Sequence, residues 1–221
     1  MKRAILYKIW AKIEPYKIEH KDLHNGIKKH SKHMKGIILD AGCGGGPYKE
    51  LLNGFYIGID IKSGDVKASL LNIPIKDSST DSVLCTQVLE HVPEPYSALK
   101  EFYRIMKKKS YLLLTVPMIW GLHEIPHDYY RYTRYGLKYL LEKSGFRVIS
   151  IHERGGLFKM LAQRFNAFLY YGLFLKLGKF KYVIGTPLIL FWNLVTLIGI
   201  ALNKLYPKGD TLGYVCLARK E

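Results

Sequence analysis

The sequence has few cysteines for its length. Its 221 residues include three, Cys43, Cys85 and Cys216, which lie far apart and form no paired motif. Zinc knuckles and disulfide frameworks need pairs at short, fixed spacings, so this pattern argues against both. It indicates a reducing, cytoplasmic compartment. No long apolar segment follows the basic N-terminus, so we do not expect a signal peptide.

Acidic residues are also scarce, with 18 against 34 lysines and arginines and a formal charge of +16. An excess of this size favours an anionic partner, either nucleic acid or an acidic membrane surface. A solvated lysine-rich surface is the alternative. The length suffices for one domain with a substantial core.

A glycine-rich stretch follows a short apolar run at residues 37–46, Ile-Ile-Leu-Asp-Ala-Gly-Cys-Gly-Gly-Gly. The run suits a buried parallel strand, and the glycines allow a tight turn and close approach to a ligand. Pro47 suits the first position of a following helix. Pro47 also occupies the place of the last glycine in Gly-x-Gly-x-x-Gly, so the nicotinamide-binding motif is absent.

The spacing Asp40-x-Gly42-x-Gly44-x-Gly46 instead resembles the first motif of the class I (Rossmann-like) S-adenosylmethionine-dependent methyltransferases, in their small-molecule methyltransferase-domain branch. An ordinary glycine-rich turn is the alternative. Asp60, twenty residues on at the end of a second predicted strand, suits the ribose hydroxyls of a nucleoside. Leu89-Glu90-His91, after the fourth predicted strand, is a further mark of the family. The resemblance covers about residues 37–156 and the last strand.

The resemblance implies S-adenosylmethionine as cofactor and assigns several residues to it. Asp40, Gly42, Gly44 and Gly46 would hold the methionine end, with Gln87 at its border. Asp60 and the adjacent Ile61 would lie at the ribose, and Leu70 would pack on the adenine. The family usually has an acid near the adenine amine where this chain has Ser69.

Alternating strands and helices predict an α/β fold, with a seven-stranded, mostly parallel sheet and helices on both faces. We expect helices at 48–53 and 95–107, a weak third strand at 66–70, a turn at 107–110, and a last strand at 213–218. The family's last strand is antiparallel. The expected division is a basic N-terminal helical segment covering the cofactor (1–35), a core (36–154 and 212–221) and a helical insertion (155–211).

The segment from Pro117 to Arg134 is rich in aromatic residues and histidine. It is similar to a block in small-molecule methyltransferases and predicts a substrate lid, with an aromatic cap on the sheet as a compatible alternative. Candidate substrate contacts are Asp128, Tyr130 and Arg131. A general base is needed only if the acceptor must lose a proton, and His127, His123 and His91 are the candidates. A zinc site from His123 and His127 lacks further ligands, so we expect no metal.

The insertion begins with an amphipathic segment whose apolar face is formed by Leu157, Leu161, Phe165, Phe168 and Leu175. An uncharged stretch follows at 183–202, in which Thr186 and Pro187 suit the cap and first turn of a helix, and lysines flank both parts. A single crossing would place the last strand on the far side of the membrane from its sheet. The helices must therefore pack on the protein, lie in the interface, or enter and return as a hairpin. We expect residues 157–208 to attach peripherally or monotopically to an anionic leaflet, with a buried subdomain or a dimer interface as alternatives.

These observations together predict a methyltransferase for a small acceptor that is lipophilic if the insertion faces a membrane. An RNA methyltransferase is an alternative suggested by the charge, but the sequence has no recognisable RNA-binding module and no Asn-Pro-Pro-Tyr-like motif. A non-catalytic scaffold at a membrane is another. The sequence leaves the oligomeric state open.

Overall fold

The computed structural model describes residues 17–169, 172, 176, 186–202 and 210–221. The chain divides into two compact units, one of residues 24–154 and 213–221 and one of residues 1–23 and 155–212. The first is close to the expected core but also includes residues 24–35. The expected cover over the cofactor by residues 1–35 stays a prediction, and residues 1–16 lie outside the described ranges.

The core unit contains a seven-stranded sheet in the order β3-β2-β1-β4-β5-β7-β6. The strands β1 to β5 are parallel, and β7 runs antiparallel to both β5 and β6. This arrangement confirms the expected fold class and the antiparallel last strand. The strands are β1 (Lys35–Ala41), β2 (Asn53–Asp60), β3 (Val66–Lys67), β4 (Thr80–Thr86), β5 (Met106–Pro117), β6 (Phe146–Arg154) and β7 (Gly213–Lys220).

Helices lie on both faces of the sheet because the buried strands are apolar on both sides. On one face, α2 (Pro95–Ile105) and α3 (Arg134–Lys143) contribute to a core cluster with the strands. On the other face lies the second half of α1 (Lys17–His30). A Cβ on Gly26 of this helix would lie 2.8 Å from the Val215 side chain of β7, so the glycine permits close packing there.

The connection from β1 to β2 differs from expectation. A helix was expected at 48–53 with Pro47 at its start, but the structure has only a 3₁₀ turn at Lys49–Leu51. Six residues (47–52) separate Gly46 from β2. An isolated helix of that length is marginal because nucleation costs more than so few hydrogen bonds return. The glycine loop is therefore followed by a short turn.

Two strand boundaries also differ. The third strand, expected at 66–70, is a pairing of two residues, Val66 and Lys67, with the end of β2. The turn expected at 107–110 belongs to β5, which begins directly after α2. The lysine run there suggested a turn, but Thr80 of β4 pairs with Met106 and extends the ladder past it.

The second unit contains α4 (Leu157–Phe168) and α5 (Thr186–Leu202), which pack on each other. Phe165 and Trp192 have ring centroids 4.0 Å apart, and the Trp192 indole donates to the Ala162 carbonyl at 3.2 Å. Thr186 and Pro187 begin α5, as expected. In the described ranges, neither this helix nor any other is both long enough and apolar enough to span a bilayer. Leu175, expected on the amphipathic face, lies outside those ranges.

The amphipathic helix α4 has its polar face buried and its apolar face exposed. Lys159, Gln163 and Asn166 are buried, and Lys159 forms an ion pair with Asp22 of the same unit. On the opposite side Leu161 is 51% exposed and Phe168 is 65% exposed. The sequence predicted which residues share a face, and the structure shows which face is turned outward.

Candidate functional site

The glycine loop turns sharply at the carboxyl end of β1. The amides of Gly42 and Cys43 both donate to the Ile59 carbonyl of β2, at 2.8 and 3.1 Å. Gly42 has a φ of +76° and Gly44 one of +51°, a region that side chains disfavour. A Cβ on Gly42 would lie 2.4 Å from Val88, whereas one on Gly44 or Gly45 would meet nothing within 4 Å. The loop is packed at its start and open at its centre.

Asp40 lies beneath this loop and is 1% exposed. Its Oδ2 accepts a hydrogen bond from the Tyr56 hydroxyl at 2.8 Å, while its Oδ1 has no partner in the described part of the chain. Burial raises the pKa of Asp40 to about 6, the Tyr56 hydrogen bond opposes this rise, and the negative charge of Asp60 adds to it. The site therefore contains a buried carboxylate that a cationic group would stabilise.

Asp60 is the last residue of β2, and its carboxylate connects the glycine loop with the loop that follows β2. Its Oδ2 accepts from the Gly44 amide at 3.3 Å, and its Oδ1 accepts from Lys62 and Ser63 at 2.8 and 3.3 Å. The Ser63 hydroxyl donates back to the Gly44 carbonyl at 2.9 Å. The adjacent Ile61 side chain is exposed. The ribose assignment of these residues stays a prediction, and Asp60 has a second role in holding the glycine loop.

Leu70 and Gln87 are held by the core. Leu70 is buried in the apolar cluster, so only a small part of its side chain is available for the predicted packing on adenine. The Gln87 amide donates to the Thr115 carbonyl at 3.0 Å, and its side-chain amide donates to the Thr115 hydroxyl at 3.1 Å. Its φ of +53° turns the chain directly after β4. Gln87 thus lies at the carboxyl end of the strand next to β1, as expected.

These residues fit the methionine end of S-adenosylmethionine. The unpartnered Oδ1 of Asp40 can accept from the cofactor's ammonium group, and the open centre of the glycine loop leaves space for its backbone. The carboxyl ends of parallel strands are also where open α/β sheets bind ligands. The fit at the adenine is less complete, because Ser69 is uncharged where the family usually has an acid. Its hydroxyl accepts from the Leu71 amide at 3.2 Å.

Two of the three candidate histidines, His91 and His123, are in contact. The Nε2 atoms of His91 and His123 lie 3.1 Å apart, and burial together with His91 lowers the pKa of His123. The His127 ring instead contacts the Tyr129 hydroxyl at 2.9 Å. Sequence reasoning missed Glu90, which is fully buried beside His91. Burial raises the pKa of Glu90 to about 8, against the opposing effects of its own amide and of two arginines.

The predicted substrate contacts form much of the loop's internal structure. The Arg131 guanidinium pairs with both Asp128 oxygens, at 2.6 and 2.7 Å, and holds the pKa of that carboxyl well below its usual range. Asp128 also accepts from the His123 amide at 3.0 Å. The Tyr130 hydroxyl donates to the Pro93 carbonyl at 2.8 Å. A substrate role for these three residues stays a prediction, while the contacts of Asp128 and Arg131 hold the segment that carries His123.

Comparisons with known proteins agree with this geometry. Residues 39–114 match the family described as "Methyltransferase domain". An uncharacterised protein of Methanocaldococcus jannaschii is 36% identical over 101 residues, covering 41% of this chain and 44% of that protein. A ubiquinone biosynthesis O-methyltransferase of Chromobacterium violaceum is 27% identical over 143 residues, covering 49% and 62%. The chain thus spans less than two thirds of either relative.

The fold comparison extends over more of the chain. The crystal structure of an S-adenosylmethionine-dependent methyltransferase from Archaeoglobus fulgidus superposes with a TM-score of 0.56 at 19% identity, covering 89% of this chain and 92% of that one. The strand order, the glycine loop with its two acids and the family match all agree. Residues 39–114 therefore match a methyltransferase-domain family, and the chain has the class I, Rossmann-like fold of S-adenosylmethionine-dependent methyltransferases.

Proposed function

We propose that this protein transfers a methyl group from S-adenosylmethionine to a small, lipophilic acceptor at a membrane surface. The observation that carries the enzymatic part is Asp40, a buried carboxylate with one unpartnered oxygen below an open glycine loop. An unpaired buried charge is costly, so its presence supports a site for a cationic ligand. The histidine pair at the same edge of the sheet supports an acceptor site beside it.

The chemistry requires alignment above all. When bound, S-adenosylmethionine supplies a methyl group already activated by the positive charge of its sulfur. Asp40 and the glycine loop would fix the methionine end, and Asp60 the ribose. The loop of residues 117–134 would orient the acceptor and exclude water. His91 or His123 would accept a proton if the acceptor is a hydroxyl group.

Membrane attachment is supported by the exposed apolar face of α4. Its exposed residues Leu161, Phe165 and Phe168 are joined in the same unit by Phe191 and Leu194 of α5. Exposed apolar surface of this kind marks an interaction site. Lys176 is exposed in the same unit, and the +16 charge of the chain complements an anionic leaflet. A lipophilic acceptor follows from this location.

The cofactor proposal is tested by calorimetric titration with S-adenosylhomocysteine. The wild-type protein should bind with a stoichiometry of one, and Asp40→Asn should weaken binding because it removes the charge that faces the ammonium group. A matched control is Asp65→Asn, which removes a charge whose carboxylate accepts from the Gly58 amide at 2.8 Å. Absence of binding to a folded wild-type protein would reject the enzymatic proposal and favour a scaffold.

The membrane proposal is tested by sedimentation with vesicles of anionic and of neutral lipid. Phe168→Glu and Phe191→Glu should each reduce binding to the anionic vesicles. Phe55→Glu is a matched control, because Phe55 of β2 is 69% exposed and the charge change is identical. Equal loss in all three variants would assign binding to net charge alone. Unchanged binding in all three would reject the helical surface.

An RNA substrate is the second candidate, favoured by the charge of +16. The discriminating assay measures methyl transfer to small-molecule hydroxyl acceptors in lipid vesicles and to bulk RNA. Strong RNA binding that falls steeply with salt, together with methyl incorporation into RNA, would replace the small-molecule proposal.

A further inference from the structure

Glu90, His91 and His123 form a cluster whose ligand atoms all lie within 4.8 Å of one another. The two histidine Nε2 atoms are 3.1 Å apart, and the Glu90 Oε1 lies 3.9 Å from the His91 Nε2. Glu90 and His91 come from the 3₁₀ turn after β4, and His123 comes from the loop after β5. The cluster lies entirely within the core unit.

The hydrogen bonds of the two rings determine where their protons are. His91 Nδ1 lies 2.7 Å from the His127 carbonyl, and His123 Nδ1 lies 3.1 Å from the Gly121 carbonyl. A carbonyl oxygen only accepts, so both Nδ1 atoms carry a hydrogen. A neutral imidazole has one such hydrogen, which leaves both Nε2 lone pairs directed at the same place. Facing lone pairs at 3.1 Å repel each other, so the arrangement favours a proton or a metal ion between the two nitrogens.

Glu90 places a carboxyl group at this point. Its side chain is fully buried, and neither carboxylate oxygen has a hydrogen-bond partner beyond its own residue in the described part of the chain. Its carbonyl accepts from the amides of Tyr129 and Tyr130 at 2.9 and 3.2 Å, which holds the 3₁₀ turn against the loop carrying His123. The ligand set is therefore positioned by backbone contacts.

We propose that Glu90, His91 and His123 bind a divalent transition-metal ion such as Zn²⁺. Two imidazole nitrogens and one carboxylate, with positions left open, are typical of catalytic zinc and of non-haem iron sites. Ligands at about 2.1 Å from a tetrahedral ion lie about 3.4 Å apart, close to the distances found here. The carbonyls on the Nδ1 atoms supply the outer contacts that fix such rings. Sequence reasoning considered His123 with His127, whereas the fold brings His123 together with Glu90 and His91.

The place of this cluster gives the ion a role that rests on the proposed methyl transfer. In the sheet, β4 lies between β5 and β1, the strand that carries Asp40. The cluster and the glycine loop therefore both lie at the carboxyl ends of these strands. An ion there would bind the acceptor's hydroxyl oxygen and lower its pKa. Because His91 and His123 would then hold the ion through their Nε2 atoms, the O–H proton would pass to water and not to a histidine. The oxygen would form the new O–CH₃ bond as the sulfur–methyl bond breaks. The ion keeps its oxidation state, and the acceptor class is an alcohol or a phenol.

The binding experiment uses the full-length protein, freed of metal by a chelator and titrated with Zn²⁺ by calorimetry. We expect one ion per chain and at least about tenfold weaker binding in each of Glu90→Gln, His91→Ala and His123→Ala. His127→Ala is the matched control, since its ring lies outside the cluster and its backbone carbonyl is retained. No stoichiometric binding to the wild type, or equal binding in all variants, would overturn the proposal.

Two further measurements keep metal binding separate from folding and from cofactor binding. The visible absorption of Co²⁺ should show nitrogen and oxygen ligands in the wild type and lose intensity in His123→Ala. Each variant is also titrated with S-adenosylhomocysteine, which should bind as in the wild type. Lost metal binding with intact cofactor binding supports the site. Metal binding by a protein without affinity for S-adenosylhomocysteine would reject methyl transfer and the ion's role in it.

Discussion

Replacing Asp40 by Asn should stabilise the protein while impairing its cofactor site. The pKa of Asp40 is raised from an ordinary 3.8 to about 6 by burial. Above about pH 6 the folded state carries a buried charge that the unfolded chain exposes to water. The difference between these two pKa values, at about 1.4 kcal/mol per pH unit, lowers the free energy of unfolding by about 3 kcal/mol. Asn removes this cost because it does not ionise.

The effect of Asp40 on stability depends on pH. Because its pKa is higher in the folded state, Asp40 contributes its full stabilisation below pH 3.8, and this contribution to the free energy of unfolding is lost as pH rises through about 6. Relative to the wild type, Asp40→Asn should therefore gain about 2 to 3 kcal/mol near pH 8, about 1 to 2 near pH 5 and little near pH 3.5. The lower end of each range allows for a weaker hydrogen bond from Tyr56, which Asn still accepts.

The assay is denaturant unfolding followed by tryptophan fluorescence at these pH values, with unchanged m-values as evidence of the same transition. Asp81→Asn is a control of opposite sign. The Ile37 amide and Lys107 hold the pKa of Asp81 below its usual range, so its contribution to stability is present at neutral pH and lost as pH falls. A variant at Asp40 that is less stable than wild type near pH 8, with unchanged pH dependence, would refute the reasoning.

Two other substitutions test the loop around Asp40. Asp60→Ala should weaken S-adenosylhomocysteine binding at least about tenfold, because it removes the proposed ribose acceptor and a contact to Gly44. Asp65→Ala is the control in the same calorimetric titration, and unchanged affinity in Asp60→Ala would reject the ribose assignment. Gly42→Ala should lower the free energy of unfolding by about 2 kcal/mol or more, since its φ is +76° and the new Cβ would meet Val88 at 2.4 Å. Partial rescue by Val88→Ala in denaturant unfolding would identify the clash, and a fully stable Gly42→Ala would contradict it.

The sequence predicted those parts of the fold that follow from local pattern. The apolar run before Asp40 is a buried strand, and three glycines at alternate positions have positive φ because the turn requires it. The antiparallel direction of the final strand was predicted through the family resemblance, and this strand pairs with both β5 and β6. The expected helix at 48–53 failed because propensity alone did not weigh how short the connection is. The lysines at 107–109 suggested a turn, but pairing with β4 decided otherwise.

The histidine cluster and the orientation of α4 depend on tertiary contacts that no local pattern encodes. His91 and His123 are 32 positions apart, and contacts within the loop of residues 117–134 and between that loop and Glu90 bring their rings together. Glu90 was noted only as part of the Leu89-Glu90-His91 motif, because an acid after an apolar strand is usually solvated and its burial could not be predicted. The period of α4 predicts an apolar face, but whether that face is turned inward depends on what the rest of the chain covers.

Asp40 and Glu90 share a physical property that explains why both lie at the same edge. Each is a buried carboxyl group with at least one oxygen that has no hydrogen-bond partner in the described ranges, and the two lie at or just after the ends of two adjacent strands. A fold optimised for stability alone would pair or replace such groups, because each costs free energy above its pKa. Their cost would be offset by binding of a cation, which we propose to be the ammonium group of the cofactor at Asp40 and the metal ion at Glu90. Binding and folding would then be linked at this end of the sheet, because both carboxylates would destabilise the free protein and favour the liganded one.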